Sequence, residues 1–360
     1  MERRILWLVG GLVLFGLVML SSAGIVLGEQ KFGSSYYFVL HQITVGVLPG
    51  LVALGIARAT PSRFWRRISP LLLFAVLVLL VLVLIPGFGD ERKGAQSWLL
   101  LGGISFQPTE FLKLGFILYL AAWLSNRKER SGHWSAGLLP FLVMLGVVAL
   151  LVGLQPDVGT LAIIFSIAGA VYFAAGMPLR QLGVVVLLGA VLFGAFIAVQ
   201  PYRLQRIQVA FGIISDPRGS SYQVSQSLIA IGSGGVFGNG FGQSTQKFGF
   251  LPEAVGDSIF AIICEELGIV GGMLVLITFG ALCVAYAQLA RKTDDMYSKL
   301  VVVGMQAWIM IQALVNILAM VGVLPLTGVP LPFISFGGTA LVALLAGVGM
   351  TLAIAREQRA

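Results

Sequence analysis

The chain has 360 residues, 58% of them hydrophobic and only 11% charged. A water-soluble domain of this length cannot hide so much apolar surface, so the composition excludes that class and indicates an integral membrane protein. The net charge of +8 calls for no nucleic-acid partner, because the basic residues collect in short loops on one side of the apolar spans.

A helix needs about 20 apolar residues to cross the hydrocarbon layer. In chain order ten stretches qualify, near 5–27, 38–57, 70–86, 110–124, 137–154, 159–175, 179–200, 257–289, 299–322 and 335–355. No small-residue cleavage pattern follows the first, which therefore reads as a retained helix rather than a signal peptide. The fourth is short. The eighth is too long for one upright crossing and is expected to tilt, bend or start above the bilayer. The expected fold is all-α: a single polytopic membrane domain over residues 1–360 with ten transmembrane helices. A large outer loop, 201–256, joins the seventh and eighth. The 46 glycines suit close helix packing in lipid. Cys264 and Cys283 both lie in apolar stretches and imply neither a disulfide framework nor a metal site.

Lysine and arginine set the orientation. With a cytoplasmic N-terminus, fifteen of the 23 basic residues face inward, in the loops holding Arg3, Arg58, Arg63, Arg66, Arg67, Arg127, Arg291, Lys292 and Arg356 among others. That is the positive-inside pattern. Both termini are then cytoplasmic and the 201–256 island is outside. A polar segment this long between spans is more often functional than connecting.

Four constellations could carry chemistry. Ahead of the fourth span, Gln107-Pro108-Thr109-Glu110 is followed by Lys113. Glu110 and Lys113 are neighbours on a helix, either as a neutralised pair that lets a short helix enter lipid or with Lys113 as partner to an anionic ligand. Gln155-Pro156-Asp157-Val158-Gly159-Thr160 reads as a tight turn with Asp157 capping the next helix. The island opens with Arg203 and Arg206 and continues through a glycine-rich stretch to Gln246-Lys247. It has no phosphate-loop pattern and no flanking strand, so a nucleotide site is not indicated; a re-entrant or interfacial segment buried in protein is the plain alternative. Last comes Leu251-Pro252-Glu253-Ala254-Val255-Gly256-Asp257, with Glu265 and Glu266 further along the eighth span. Asp257 is either an N-cap or a catalytic carboxylate. Two adjacent glutamates inside a span are expensive unless they face a polar cavity or find partners.

Five stretches carry a resemblance: Gly94–Leu114, Gln155–Thr160, Tyr222–Gly235, Gln246–Glu253 and Gly322–Gly338. In this order they are similar to the SEDS family (FtsW, RodA and SpoVE), and the likeness covers nearly the whole chain. Glu29–Phe38 and Gly240–Lys247 lean toward the FtsW/SpoVE branch. The resemblance implies a peptidoglycan glycosyltransferase that polymerises lipid II outside the bacterial cytoplasmic membrane, with a class B penicillin-binding protein as partner. The family's pattern L-P-E-x-H-T-D carries its key acid onto Asp257. Here Val255-Gly256 replace the usual His-Thr, and Ser258 replaces the usual Phe, which puts the neighbouring hydrogen bonds in question.

On that reading Asp257 is the general base, strengthened by desolvation at a helix mouth. Arg203, Arg206, Lys247 and Lys113 are candidates to bind the leaving pyrophosphate, with Glu110 beside Lys113 and Glu253 beside Asp257. A divalent cation, magnesium or manganese, held by Asp257 with Glu253 could share that work; no motif requires one. Two rivals remain. A lipid II flippase would use ten helices and intramembrane Glu265 and Glu266, although the polar groups cluster outside rather than at the midplane. A scaffold recruiting a cross-linking enzyme would not need Asp257 at all.

Overall fold

The computed structural model describes residues 1–92, 95–101, 104–126, 134–198 and 220–358. Its helices are α1 (Glu2–Ala23), α2 (Ile25–Phe32), α3 (Tyr37–Ala59), α4 (Ser62–Leu84), α5 (Pro108–Ser125), α6 (Leu139–Leu154), α7 (Val158–Ala174), α8 (Leu179–Ala198), α9 (Ser220–Ser233), α10 (Ile259–Lys292), α11 (Met296–Met320) and α12 (Gly338–Glu357). All but α2 and α9 coincide with the ten apolar runs. Six of these (α1, α3, α4, α10, α11 and α12) are long and apolar enough to cross a membrane unaided. The chain is a multi-pass membrane protein.

Local chemistry sets the helix ends. Pro108 occupies the first position of α5, where its missing N–H is no loss. Asp157 caps α7, accepting from the Thr160 amide at 2.9 Å, as the turn motif predicts. Asp295 caps α11 through the Ser298 amide and hydroxyl at 2.9 and 2.7 Å. Within α3, residues Gln42–Val47 form a π-helical turn.

Polar contacts fix which ends lie together. Arg58 pairs with Glu2 at 2.6 Å, Glu357 accepts from the Ser62 amide at 2.8 Å, and Arg66 reaches Asn126 at 2.5 Å. The starts of α1 and α4 and the ends of α3, α5 and α12 therefore share one face of the bundle. At the other end of α12, Thr339 Oγ1 donates to the Ser105 carbonyl at 3.3 Å, just ahead of α5.

The centre of the bundle is built on α5 and α12. Fourteen of the 18 residues of α5 and 17 of the 20 of α12 are buried, as expected for helices apolar all round. In contrast α3 and α4 bury one side and present Leu51, Val52, Ile56, Leu71 and Phe74 outward, toward lipid. Close approach of α12 to α3 depends on Gly349, where an added Cβ would lie 2.4 Å from the Leu54 carbonyl oxygen and 2.9 Å from the Ala57 Cβ.

The fold is not purely helical. Between α4 and α5 lies a three-stranded antiparallel sheet, β1 (Gly89–Arg92), β2 (Ala95–Leu101) and β3 (Ile104–Phe106), in the order β1-β2-β3. Arg92 pairs with Ala95 and Leu101 with Ile104. The intervening sequences, Lys93-Gly94 and Gly102-Gly103, are glycine-containing pairs, a sequence signal for hairpins. That signal stands in the sequence and is absent from the all-α expectation. Helix α10 also departs from a plain span: it is interrupted at Gly268, with φ 68° and ψ −165°.

Gly349→Val should lower thermal stability in detergent by about 1–3 kcal/mol, because backbone rather than a movable side chain blocks the new atoms. The control is Gly146→Val on α6, where nothing lies within 4 Å of an added Cβ. Equal melting temperatures for the two variants would contradict this packing.

Candidate active site

The site is organised by the break in α10. An interruption there frees the Glu265 and Glu266 carbonyls and the Ile269 and Val270 amides from the helical ladder, and inside a membrane protein they must find partners. Residues 235–240 supply them. Gly235 and Val236 carbonyls accept from the Ile269 and Val270 amides at 3.0 and 3.2 Å, and the Asn239 and Gly240 amides donate to the Glu265 and Glu266 carbonyls at 3.0 Å each. The two backbones touch. A Cβ on Gly268 would lie 2.3 Å from the Val236 oxygen, and one on Gly238 would lie 2.1 Å from the Glu266 oxygen. The glycine-rich stretch thus serves close backbone approach rather than phosphate binding.

Side chains lock the same crossing. The Glu265 carboxylate accepts from the Thr245 amide and hydroxyl at 2.9 Å each and from the Ser244 hydroxyl. Glu266 accepts from Ser22 at 2.5 Å on α1 and from Lys247 Nζ at 3.1 Å. Lys247 also donates to the Gly242 carbonyl at 2.6 Å and to the Ser22 hydroxyl at 3.0 Å. Both glutamates are fully buried. They find partners in protein, as two carboxylates within a span require. The expectation that Lys247 binds pyrophosphate meets a different occupation here, because its ammonium neutralises Glu266 deep in the fold.

The second buried pair is on α5. Lys113 Nζ donates to Glu110 at 2.8 Å and to Gln312 Oε1 at 2.9 Å, and sits 5.0 Å from the centre of the Trp308 ring. Trp308 Nε1 donates to the same Gln312 oxygen at 2.7 Å. The i,i+3 neighbourhood read from spacing is realised, and the pair is shielded from solvent. Arg203 and Arg206 lie outside the described residues.

Asp257 stands in the turn before α10, 6% exposed. It is not the N-cap. The helix begins at Ile259, and Ser258 occupies the cap position. Asp257 is therefore held by what surrounds its backbone. Glu253 takes a left-handed conformation (φ 55°), and its carbonyl accepts from the Gly256 and Ser258 amides at 2.9 and 3.1 Å. The Val255 carbonyl accepts from the Phe336 amide at 2.9 Å and the Gly256 carbonyl from Ser335 Oγ at 2.7 Å. These contacts use the main chain, so the Val255-Gly256 sequence does not disturb them. Gly256 also leaves space for the Glu253 carboxylate, whose Oε2 would be 3.2 Å from a Cβ there. On the other side, Gly328 of the α11–α12 loop comes close enough that its Cβ would lie 3.8 Å from Asp257 Oδ2.

Several residues that hold this corner carry little sequence signal. Gln223 on α9 donates to Ser258 Oγ at 2.9 Å, and Ser258 Oγ donates to the Pro252 carbonyl at 2.8 Å. Gln42, in the π-helical turn of α3, donates to the Ser335 carbonyl at 3.3 Å and accepts from the Gly337 amide at 3.0 Å. Gln312 and Asn316 reach the same loop from α11. Their one clue is being amides inside apolar spans, which calls for a partner. Among the described residues no group of three or more His, Cys, Asp or Glu is placed to hold a metal ion. A cavity of about 10 Å³ between Gln312, Pro330 and Gly337 has room for one water and no sugar.

Two stability outcomes follow from the crossing. Gly268→Ala should cost at least about 3 kcal/mol, since it combines a glycine-only backbone conformation with a backbone clash; full retention of the melting temperature would contradict the close approach. Lys247→Met should destabilise by about 3–5 kcal/mol by stranding Glu266, whereas the double variant Lys247→Met/Glu266→Leu should recover most of that loss. Thermal unfolding of the three proteins in one detergent decides, and a double variant as unstable as the single would refute the pairing.

Comparison with known proteins gives a consistent picture. The sequence model of the FtsW/RodA/SpoVE family, described as "Cell cycle protein", matches residues 3–360. Stage V sporulation protein E of Bacillus subtilis is 38% identical over 348 residues, covering 97% of this chain and 95% of that protein. The probable peptidoglycan glycosyltransferase FtsW of Nitrosomonas europaea is 37% identical over 350 residues, covering 96% and 90%. Among solved structures, a chain from a peptidoglycan synthase complex that coordinates polymerization and crosslinking superposes with a TM-score of 0.81 at 29% identity, covering 98% of this chain and 97% of that one. The rod shape determining protein RodA of Thermus thermophilus gives 0.72 at 26%, covering 99% and 97%.

Proposed function

The chain belongs to the FtsW/RodA/SpoVE family of cell cycle proteins, and on that premise we propose that it is a peptidoglycan glycosyltransferase polymerising lipid II into glycan strands at the outer face of the bacterial cytoplasmic membrane. The observation that carries the reading is Asp257. A carboxylate stands at the mouth of α10, outside the helical ladder, where three separate segments fix its backbone. The buried lysines Lys113 and Lys247 are paired with Glu110 and Glu266.

In the proposed reaction a hydroxyl of the acceptor sugar attacks the anomeric carbon of the donor. The new glycosidic C–O bond forms as the bond to the lipid pyrophosphate breaks, and the hydroxyl proton passes to the Asp257 carboxylate. Attack from the face opposite the leaving group inverts the anomeric centre. A positioned base of this kind contributes about 10²–10⁴-fold. Arg203 and Arg206, at the start of the outer loop, are candidates to meet the charge of the pyrophosphate. Lys113 and Lys247 could do so only by leaving their glutamates. Asp257 and Glu253 offer oxygen ligands to magnesium or manganese, which would supply further charge to the leaving group when bound.

The two intramembrane glutamates that a flippase would draw on are engaged in holding the 234–247 segment, which favours the transferase. A class B penicillin-binding protein is the proposed partner, and both termini are proposed to be cytoplasmic. That orientation agrees with the basic residues around Arg58, Arg66 and Arg356 at the shared end of α1, α3, α4 and α12.

The test is polymerisation of purified lipid II in detergent, with and without the partner. Asp257→Ala should reduce glycan synthesis by at least about 10²-fold with its melting temperature unchanged. Undiminished synthesis by that variant would sink the assignment of Asp257. Absence of glycan from the partnered wild type, with lipid II moving across vesicles, would favour the flippase.

A further inference from the structure

Helix α11 carries two amides one turn apart on the same face, Gln312 and Asn316, both buried. Asn316 Nδ2 donates to two carbonyls at once, those of Asp257 and Val329, each at 2.8 Å. Gln312 Nε2 donates to the next carbonyl of the same loop, Pro330, at 2.9 Å, while its Oε1 accepts from Lys113 and Trp308. One helix face therefore joins three things that the chain keeps far apart: the Lys113–Glu110 pair on α5, the α11–α12 loop, and the backbone of Asp257. The Val329–Pro330 peptide segment is the common rung. Gly328, next to it, lies close to the Asp257 carboxylate.

We propose that Asn316 is a positioning residue for the transfer reaction: by tying the Asp257 carbonyl to the Val329 carbonyl it sets the aim of the Asp257 carboxylate, with Gln312 anchoring the same loop to Lys113. The inference rests on the reading of Asp257 as the base. An asparagine is suited to the task because its two N–H bonds lie in one plane and diverge, so one rigid group can hold two carbonyls apart at a fixed distance. A hydroxyl offers one donor, and an ionised aspartate offers none and would oppose both oxygens. Misplacing a reacting group by about 1 Å can lower a rate by about 10²-fold without altering what binds.

The discriminating experiment compares wild type, Asp257→Ala, Asn316→Ala and the near-isosteric Asn316→Asp, each as the full chain with its penicillin-binding partner. The probe is purified lipid II, and kcat, KM and melting temperature are measured for each protein. The expected result is a fall in kcat of about 10²-fold for both Asn316 variants, with KM within about threefold of wild type and both proteins folded at the assay temperature, although Asn316→Ala melts lower because two buried carbonyls lose their donor. A normal kcat for either variant, beside an inactive Asp257→Ala, overturns the positioning role and leaves the base assignment standing. Losses of activity no larger than the loss of folded protein at the assay temperature assign Asn316 to folding alone and overturn it as well. An active Asp257→Ala overturns the base and the proposal together.

Discussion

A helix interrupted inside a membrane protein presents backbone donors and acceptors that lipid cannot satisfy, and the arrangement of the half of this molecule around Asp257 follows from how that demand is met at Gly268. The four freed groups are taken up by residues 235–240, which must come within backbone contact distance. That contact admits no side chain at Gly238 or Gly268. Once the segment is laid against α10, Ser244, Thr245 and Lys247 stand over Glu265 and Glu266. The acidic pair in the span and the glycines in the loop are two halves of one joint.

The joint constrains the turn that carries Asp257 without forming it. It pins the 234–247 segment to α10 and, through Ser22, to α1. The short stretch from Lys247 to Asp257 then has fixed ends. Its last turn is closed by the Glu253 carbonyl, and the α11–α12 loop is drawn onto it through Ser335 and Phe336. Buried ion pairs of this kind contribute little net stability compared with apolar packing, but they tolerate few alternative arrangements. Lys113 and Lys247 each have a carboxylate partner within 3.1 Å, so both charges stay local to their own elements. The Lys113–Glu110 pair is joined to the Asp257 turn through amides, Gln312 and Asn316 on α11.

The apolar runs, the capped turn at Asp157 and the i,i+3 pairing of Glu110 with Lys113 were legible because each depends on neighbours close in sequence. The same holds for the carboxylate at Asp257, which a local motif marks. The β-hairpins ahead of α5 left glycine turns in the sequence but were overshadowed by the apolar composition around them. The pairing of Lys247 was hidden for a different reason. Its charge looks available in a polar loop, and only the fold reveals that Glu266 lies beneath it. The roles of Gln42, Gln223, Gln312 and Asn316 were equally hidden, since an isolated amide in an apolar run says that a partner exists and not where.

By itself, then, the sequence determined a multi-pass helical membrane protein, the gathering of basic residues in its loops, and the identity of the acid that stands at the mouth of α10. Hydropathy, helical period and local motifs are properties of contiguous residues, and they survive without coordinates. The tertiary structure decided that α10 breaks at Gly268, that the glycine-rich loop repairs the break, and that Asn316 ties Asp257 to Val329. Those facts depend on hydrogen-bond donors and acceptors well separated along the chain, and only the packing of the whole bundle brings them together.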